Sequence, residues 1–244
     1  GAVVYHDGQF DDARMALNLA QTISGNGGFV ANYCGVVKLE KSASGKVNAV
    51  VAKDYTTGEL HTISTKILIN ATGVFADGIM KMDDPEAKAL LRPSQGVHLV
   101  VASRFFPGKK ALMIPKTSDE RVLFAVPWHN RVILGTTDTP VNKISMEPEA
   151  LEEEVKFILD TAAQYLNEPP VRKDVLSVYA GLRPLAASDP GKKSKEISRS
   201  HKIQVSPSGV LTMLGGKWTT YRKMAEDMIN EAEKLNGWKK TETH

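Results

Sequence analysis

Residues 66–73, Lys-Ile-Leu-Ile-Asn-Ala-Thr-Gly, constrain the fold more than any other part of the sequence. Their apolar run does not alternate with polar residues, which is typical of a strand buried on both faces in a parallel sheet. A helical pattern follows over residues 75–82, and Gly73 between the two lets the backbone turn sharply or approach a ligand closely. The segment therefore predicts the strand–turn–helix unit of an α/β fold.

The segments before this unit predict a helix and antiparallel strands. Residues 2–5 form a short apolar run typical of a strand. Residues 11–25 carry apolar side chains at helical spacing, with two aspartates in the first turn, where a helix favours negative charge. Three β-rich segments separated by glycine turns predict an antiparallel meander at residues 29–39, 47–54 and 60–64.

The middle of the chain is rich in strands and contains one long helix. The helix follows Pro148, which suits a first helical turn, and the pair Pro169-Pro170 ends it. Beyond the middle, Gly215-Gly216 separates a strand at residues 210–214 from a last helix. The other predicted strands cover residues 97–101, 111–114, 122–126, 132–134, 175–180 and 201–205. These patterns predict an α/β (α+β) chain in which a mostly parallel part and a strand-rich part interleave.

The composition excludes several classes of protein. The 244 residues, with 42% hydrophobic and 24% charged, exclude a disordered chain, a collagen-like repeat and a disulfide-stapled mini-protein. Cys34 is the single cysteine, which excludes an internal disulfide and a thiolate metal cluster. The net charge of +3 gives no sign of nucleic-acid binding, and no apolar run reaches the roughly 18 residues that span a bilayer. The six histidines are scattered, so we expect no metal site.

Four stretches set unusual polar residues among small or apolar neighbours: residues 96–100, residues 124–128 with 135–140, residues 179–185, and residues 215–227. Each stretch has a structural alternative. His98 on an apolar strand is typical of a buried, hydrogen-bonded histidine, and Arg183 beside a proline is typical of a structural or surface arginine. The threonines and aspartate at 136–139 suit a turn, and Lys217 suits a free lysine after a tight turn.

A phosphate site is the functional alternative for the same residues. Gly215-Gly216 before a helix exposes backbone N–H groups toward an anion. A dianionic phosphate needs several cationic donors, and arginine binds it through two hydrogen bonds. Arg183, Arg199 and Lys217 come from separate segments and would have to converge on one phosphate.

The ordered set of motifs resembles the FAD-dependent glycerol-3-phosphate dehydrogenases, within the glycine/D-amino-acid oxidase-like flavoproteins. The matching stretches are residues 5–8, 11–14, 70–73 (Asn-Ala-Thr-Gly), 92–98 (Arg-Pro-Ser-Gln-Gly-Val-His), 127–128, 135–138, 179–185 (Tyr-Ala-Gly-Leu-Arg-Pro-Leu), 198–201 and 215–225. The resemblance implies an incomplete FAD/NAD(P)-binding-type sheet at residues 1–79 and 206–240, and a substrate-binding domain at residues 80–205. The strand at residues 1–6 would belong to either part.

The resemblance implies that sn-glycerol 3-phosphate is oxidised to dihydroxyacetone phosphate by hydride transfer to FAD, with quinone as electron acceptor. His98 would be the general base or would polarise the C2 oxygen, since a histidine titrating near neutrality suits proton transfer. Arg183 would act at the same centre and, with Arg199 and Lys217, bind the phosphate. FAD would be lined by Val36, Val37, Ala71, Thr72, Gly73, Gly216, Lys217, Trp218 and Thr219.

The family opens with a βαβ unit whose glycine-rich loop binds the FAD pyrophosphate, and this sequence has no such unit. We therefore expect a central fragment that binds FAD weakly or not at all and is inactive alone. The missing strand would leave a sheet edge open to pairing between copies, hence a homo-oligomer. The resemblance implies a cytoplasmic protein, or one peripheral to the inner face of the cytoplasmic membrane through parts outside this chain. Three alternatives stay open: a peroxide-forming oxidase, a non-enzymatic phosphate-ester-binding module and an amino-acid oxidase relative.

Overall fold

The computed structural model describes residues 3–115, 117, 121–186 and 201–242. The helices in these residues are α1 (Asp12–Gly25), α2 (Ala76–Asp83), α3 (Glu152–Ala163) and α4 (Tyr221–Asn236). The strands are β1 (Cys34–Lys41), β2 (Val47–Asp54), β3 (Leu60–Ser64), β4 (Leu68–Asn70), β5 (Leu91–Ala102), β6 (Leu112–Ile114), β7 (Leu123–Trp128), β8 (Arg131–Gly135), β9 (Thr139–Pro140), β10 (Val175–Ala186), β11 (Lys202–Val205) and β12 (Val210–Leu214). The chain divides into two compact units, residues 1–40 with 49–65 and residues 41–48 with 66–244.

The first unit contains α1 and most of a three-stranded sheet in the order β1-β2-β3. Asp11 caps α1 by accepting a hydrogen bond of 2.9 Å from the backbone N–H of Arg14. The predicted helix and meander are confirmed, although β1 begins at Cys34 and not at residue 29. The strand predicted at residues 2–5 is wrong over the described part, because Val3 and Val4 are exposed and pair with no strand there.

The second unit is built around a large antiparallel sheet in the order β10-β5-β8-β7-β6, with β9 paired to β5. One face of this sheet packs against α3. Alternate residues of β5 supply the sheet side of the core, and α3 supplies Val155 and Ile158. The buried residues from β5 are Val97, Leu99 and Val101. Because side chains alternate along a strand, the residues between them lie on the opposite face.

The helix α3 begins later than the sequence predicts. Pro148 lies outside the helix, and Glu152 is its first residue. The cause is Glu154, whose carboxylate accepts a hydrogen bond of 3.0 Å from the backbone N–H of Leu151 and so satisfies a donor at the helix N-terminus. A charged side chain fixes this end of the helix, and the proline takes no part.

A smaller three-stranded sheet in the second unit has the order β11-β12-β4. β4 runs parallel to β12, with Ile69 opposite Leu211, which confirms the parallel strand predicted at residues 66–73. Every residue of β12 is buried, and α4 packs on it through Met228 and Ala232. β11 ends at Val205, inside the range assigned to the substrate domain, yet it pairs with β12. The domain boundaries stay predictions. Among the described residues, no helix is both long and apolar enough to span a bilayer.

Candidate active site

Two strands of the large sheet place the candidate catalytic residues on one face. In the antiparallel register of β5 and β10, Ser94 lies opposite Arg183, Gly96 opposite Gly181, and His98 opposite Tyr179. These three pairs lie on the sheet face that does not pack against α3. Directly opposite residues of an antiparallel pair share a face. The register thus brings together residues that are far apart in the sequence.

His98 is held between an aromatic ring and a glycine. Its imidazole stacks on Tyr179 with ring centroids 5.1 Å apart and an interplanar angle of 13°. On the other side β8 places Gly135 opposite His98, and a Cβ at that glycine would collide with the imidazole. The absence of a side chain at residue 135 is therefore what makes room for the ring.

The pKa of His98 is lowered from 6.5 to about 4. Burial is the larger cause, because it disfavours the charged imidazolium, and the positive charge of Arg183 is the second. The expectation of a histidine titrating near neutrality is therefore wrong for this chain. At neutral pH the imidazole is uncharged and has a lone pair that can accept a proton.

Arg183 lies across the bare backbone of Gly96, where a Cβ would occupy the position of its guanidinium. Its Nη2 donates a hydrogen bond of 3.0 Å to Thr136 Oγ1, and its Nη1 lies 3.7 Å from Asp138 Oδ1. Asp138 in turn accepts a hydrogen bond from the hydroxyl of Ser94. A planar guanidinium held by a hydroxyl and a carboxylate has a defined orientation.

Residues 136–139, the segment that orients Arg183, are held by the buried carboxylate of Glu154 on α3. Glu154 accepts hydrogen bonds from Thr137 Oγ1 at 2.9 Å and Thr139 Oγ1 at 2.6 Å, and from Gln95 Nε2 at 2.8 Å. Burial acts to raise the pKa of Glu154, but the hydrogen bonds outweigh it and the pKa lies below its usual value. The anchor is therefore a charged carboxylate whose acceptor positions are filled by donors.

Alternate residues of segment 136–139 thus contact two different side chains, Arg183 and Glu154. Thr136 and Asp138 contact Arg183, whereas Thr137 and Thr139 bond to Glu154. No turn is assigned at residues 136–139; two of the threonines there hold a buried carboxylate.

A cavity of about 540 Å³ lies between β4, β12 and α4. Its size falls in the range of about 300–1,000 Å³ that is typical of small-molecule sites. Of the predicted cofactor residues, five line it: Ala71, Gly73, Gly216, Lys217 and Trp218. Pro184, which follows Arg183 in the chain, also lines it.

Two turns shape the wall of this cavity. The turn after β4 is held by the buried Asn70, which donates to the carbonyl of Ala76 at 3.0 Å and accepts from the hydroxyl of Thr72 at 2.7 Å. The turn after β12 contains Gly216 with φ of 88°, and a Cβ there would collide with Met224. The first turn needs the amide of asparagine, and the second needs glycine both for its conformation and for its close packing.

Two of the remaining predicted cofactor residues, Thr72 and Thr219, do not line this cavity. Val36 and Val37 lie on β1 in the first unit. Lys217 lines the cavity and is exposed, on a different element from Arg183. Arg199 lies outside the described residues. The convergence of the three cations on one phosphate stays a prediction, as do the roles of all the site residues.

Sequence reasoning missed the residues that support the site. Tyr179, Asp138 and Glu154 were not predicted as site residues. For Glu154 a signal existed, because this carboxylate precedes Val155 on the core face of an amphipathic helix, where a charge is unusual. In the described residues no three histidine, cysteine or acidic side chains group as metal ligands do.

Comparison with known proteins assigns the class. Residues 1–222 match the family described as FAD dependent oxidoreductase. The fold agrees with glycine oxidase from Bacillus cereus, which is 16% identical with a TM-score of 0.62 over 93% of this chain and 56% of that chain. The α/β fold of the glycine/D-amino-acid oxidase type is confirmed. The chain belongs to the FAD-dependent oxidoreductase family.

Relatives within this family are more specific. The mitochondrial glycerol-3-phosphate dehydrogenase of Homo sapiens is 45% identical over 246 residues, which cover 98% of this chain and 34% of that protein. The glycerol-3-phosphate dehydrogenase of Bacillus halodurans, solved with FAD, is 34% identical with a TM-score of 0.85 over 96% of this chain and 45% of that chain. The chain therefore spans about a third of the curated relative's length.

The residues present fit one end of a flavin. The cavity wall is largely apolar, as a flat aromatic ring system requires, and Trp218 and Tyr221 lie on it with ring centroids 5.6 Å apart. Gly216 and Met224, which lie in close contact, both line the cavity. A single helical turn at Trp218–Thr220 begins beside the same wall.

Proposed function

We propose that the protein containing this chain oxidises sn-glycerol 3-phosphate to dihydroxyacetone phosphate with FAD as cofactor. The observation that carries the proposal is the grouping of Arg183 and His98 on one face of the large sheet, in a chain 45% identical to a glycerol-3-phosphate dehydrogenase. An arginine for a phosphate and a neutral imidazole for a hydroxyl proton are the two groups that this substrate requires.

FAD, when bound, supplies the acceptor for the two electrons that leave C2 of the substrate. Gly216, Trp218 and the turn after Asn70 would hold its ring end against the cavity. The protein's part is to hold the alcohol carbon in one orientation and to exclude water.

Arg183 would bind the phosphate of the substrate. Thr136 and Asp138 already hold its guanidinium in place. Binding of the phosphate therefore costs less side-chain conformational entropy. Lys217 and Arg199 would add positive charge, as the family pattern implies.

His98 would take the proton of the C2 hydroxyl. Because Arg183 lowers the pKa of His98, a dianionic phosphate bound to that arginine offsets its charge and raises the pKa of the imidazole. The base therefore becomes stronger when the substrate is present. The hydroxyl loses its proton to His98, and C2 loses its hydrogen as a hydride with both electrons of the C–H bond, for which bound FAD would be the acceptor; together these losses convert the alcohol to a ketone.

Quinone as the electron acceptor, the cytoplasmic location and a homo-oligomer remain parts of this proposal. The human relative carries the word mitochondrial in its name, which describes that protein. Measurement of quinone reduction against peroxide release, in the full-length protein, separates the dehydrogenase from a peroxide-forming oxidase.

The proposal is tested by mixing the FAD-loaded full-length protein with sn-glycerol 3-phosphate in the absence of oxygen. We expect the visible absorbance of the flavin to be lost with sn-glycerol 3-phosphate. Glycerol at the same concentration, which lacks the phosphate, should leave the absorbance unchanged over the same time. Retention of the absorbance with both compounds contradicts the proposal.

A further inference from the structure

Two glycines face each other in the middle of the candidate active site. Gly181 on β10 is directly opposite Gly96 on β5, between the Ser94–Arg183 pair and the His98–Tyr179 pair. Both glycines lie on the face that carries Arg183 and His98. The backbone of two neighbouring strands is therefore bare at this point.

The two glycines differ in what fills the space above them. At Gly96 the guanidinium of Arg183 occupies the place of a Cβ. At Gly181 a Cβ would meet no atom of the described residues within 4 Å, and its φ lies outside the left-handed region that favours glycine. Neither packing nor backbone conformation in the described residues requires a glycine at position 181.

A glycine inside a strand carries a cost, because it loses more conformational freedom on folding than other residues and packs no side chain. When the described residues do not require it, the remaining reason is close approach by a ligand or by another stretch of backbone, and the flanking Arg183 and His98 point to a ligand. Two residues along a strand span about 7 Å. The guanidinium above Gly96 and the imidazole of His98 are separated by two strand positions, a span that suits a short phosphate ester.

We infer that Gly181 is a specificity-determining residue, whose missing side chain keeps open the strip of sheet where the carbon chain of a three-carbon phosphate ester lies. The inference rests on the proposed function. A side chain at position 181 would displace the carbon chain from His98 while leaving the phosphate on Arg183. A displacement of about 1 Å at the reacting carbon can cost a hundredfold in rate.

The test uses Gly181→Ala and Gly181→Val in the FAD-loaded full-length protein. Valine is favoured in strands, so both variants should fold. Ser177→Val is the matched control, because Ser177 is exposed on β10 beyond the His98–Tyr179 pair. The measurements are kcat/KM for sn-glycerol 3-phosphate, the dissociation constant of inorganic phosphate, and Tm.

We expect kcat/KM to fall about tenfold for Gly181→Ala and about a hundredfold for Gly181→Val. Phosphate affinity should stay within about twofold of the wild type, and Tm should change as little as in Ser177→Val. The inference is overturned if Gly181→Val keeps the wild-type kcat/KM, if phosphate affinity falls in parallel with kcat/KM, or if the variants lose activity only because Tm falls. If the wild-type protein itself does not oxidise sn-glycerol 3-phosphate, the proposed function has failed and the inference fails with it.

Discussion

At the scale of single residues, the account depends on how His98 is kept neutral. The imidazole is half-buried, stacked on Tyr179, next to Gly135 and near the charge of Arg183, and strand pairing fixes all three of these neighbours. Its pKa of about 4 means that the folded chain disfavours the protonated imidazole. The lowered pKa of His98 therefore also makes the stability of the fold depend on pH.

The first prediction concerns the pH dependence of folding. The pKa of His98 is about 4 in the folded chain and near 6.5 in the unfolded chain, so the unfolded chain binds more protons between these values. As pH falls from about 6.5 to 4, the free energy of unfolding should fall at His98, with no further loss below. His98→Gln should remove this part of the pH dependence. Urea unfolding of both proteins at several pH values measures it, and parallel curves would refute the assignment.

His98 and Arg183 stand out in the sequence as polar residues among apolar neighbours, but their predicted roles come from the family resemblance. Their partners could not be found from the sequence. Tyr179 meets His98 and Asp138 meets Arg183 only through the pairing of distant strands. The pKa of His98 could not be predicted from the sequence either, because it depends on burial and on the charge of Arg183 from another strand.

At the scale of elements, segment 136–139 joins the helix α3 to the candidate site. The buried carboxylate of Glu154 holds the segment through two threonines, and the segment holds Arg183. Glu154 also closes the first turn of α3 through Leu151. One side chain therefore fixes both the start of a helix and a segment of the site.

The second prediction is that Glu154→Ala destabilises the fold far more than Glu153→Ala. Removal of the buried carboxylate leaves the donors of Gln95, Thr137 and Thr139 without their acceptor, which costs about 1–3 kcal/mol or more in unfolding free energy. Glu153 is the adjacent carboxylate on the same helix and is exposed, so its loss should cost less than about 0.5 kcal/mol. Chemical denaturation measures both. Equal losses would show that Glu154 is not the anchor.

Long periodic elements were predictable and their ends were not. The core faces of α3 and β5 follow from apolar spacing, because burial of those faces dominates the energy. The start of α3 depends on Glu154 and not on Pro148, and the apolar residues Val3 and Val4 pair with no described strand. Ends are set by single contacts, which spacing does not reveal.

At the scale of the whole molecule, the cavity is assembled from three parts of the chain. The turn after β4, the glycine turn after β12 and the face of α4 each supply part of the wall. The motif at residues 70–73 and the glycine pair at 215–216 predicted the first two parts. The α4 face, with Met224 and Met228, was not predicted to line a cofactor site.

The third prediction tests whether this cavity holds FAD. Gly216→Ala should weaken FAD binding at least tenfold in the full-length protein, because the new methyl displaces the flexible end of Met224, a side chain that lines the cavity. Gly45→Ala is the matched control. Gly45 has φ of 78°, close to the 88° of Gly216, but a Cβ there meets no described atom within 4 Å. FAD titration should separate the two, and equal weakening would mean that backbone strain alone is responsible.

The central claim is that Arg183 binds the phosphate of the substrate beside the neutral imidazole of His98. It is tested most directly by kcat/KM of the full-length protein and its Arg183→Gln variant, for sn-glycerol 3-phosphate and for glycerol. We expect the variant to lose about a hundredfold with the phosphate ester, as loss of a charged hydrogen-bond pair implies, and to leave the slow reaction with glycerol within about threefold. Equal losses with both substrates, or no loss with the phosphate ester, would contradict the account.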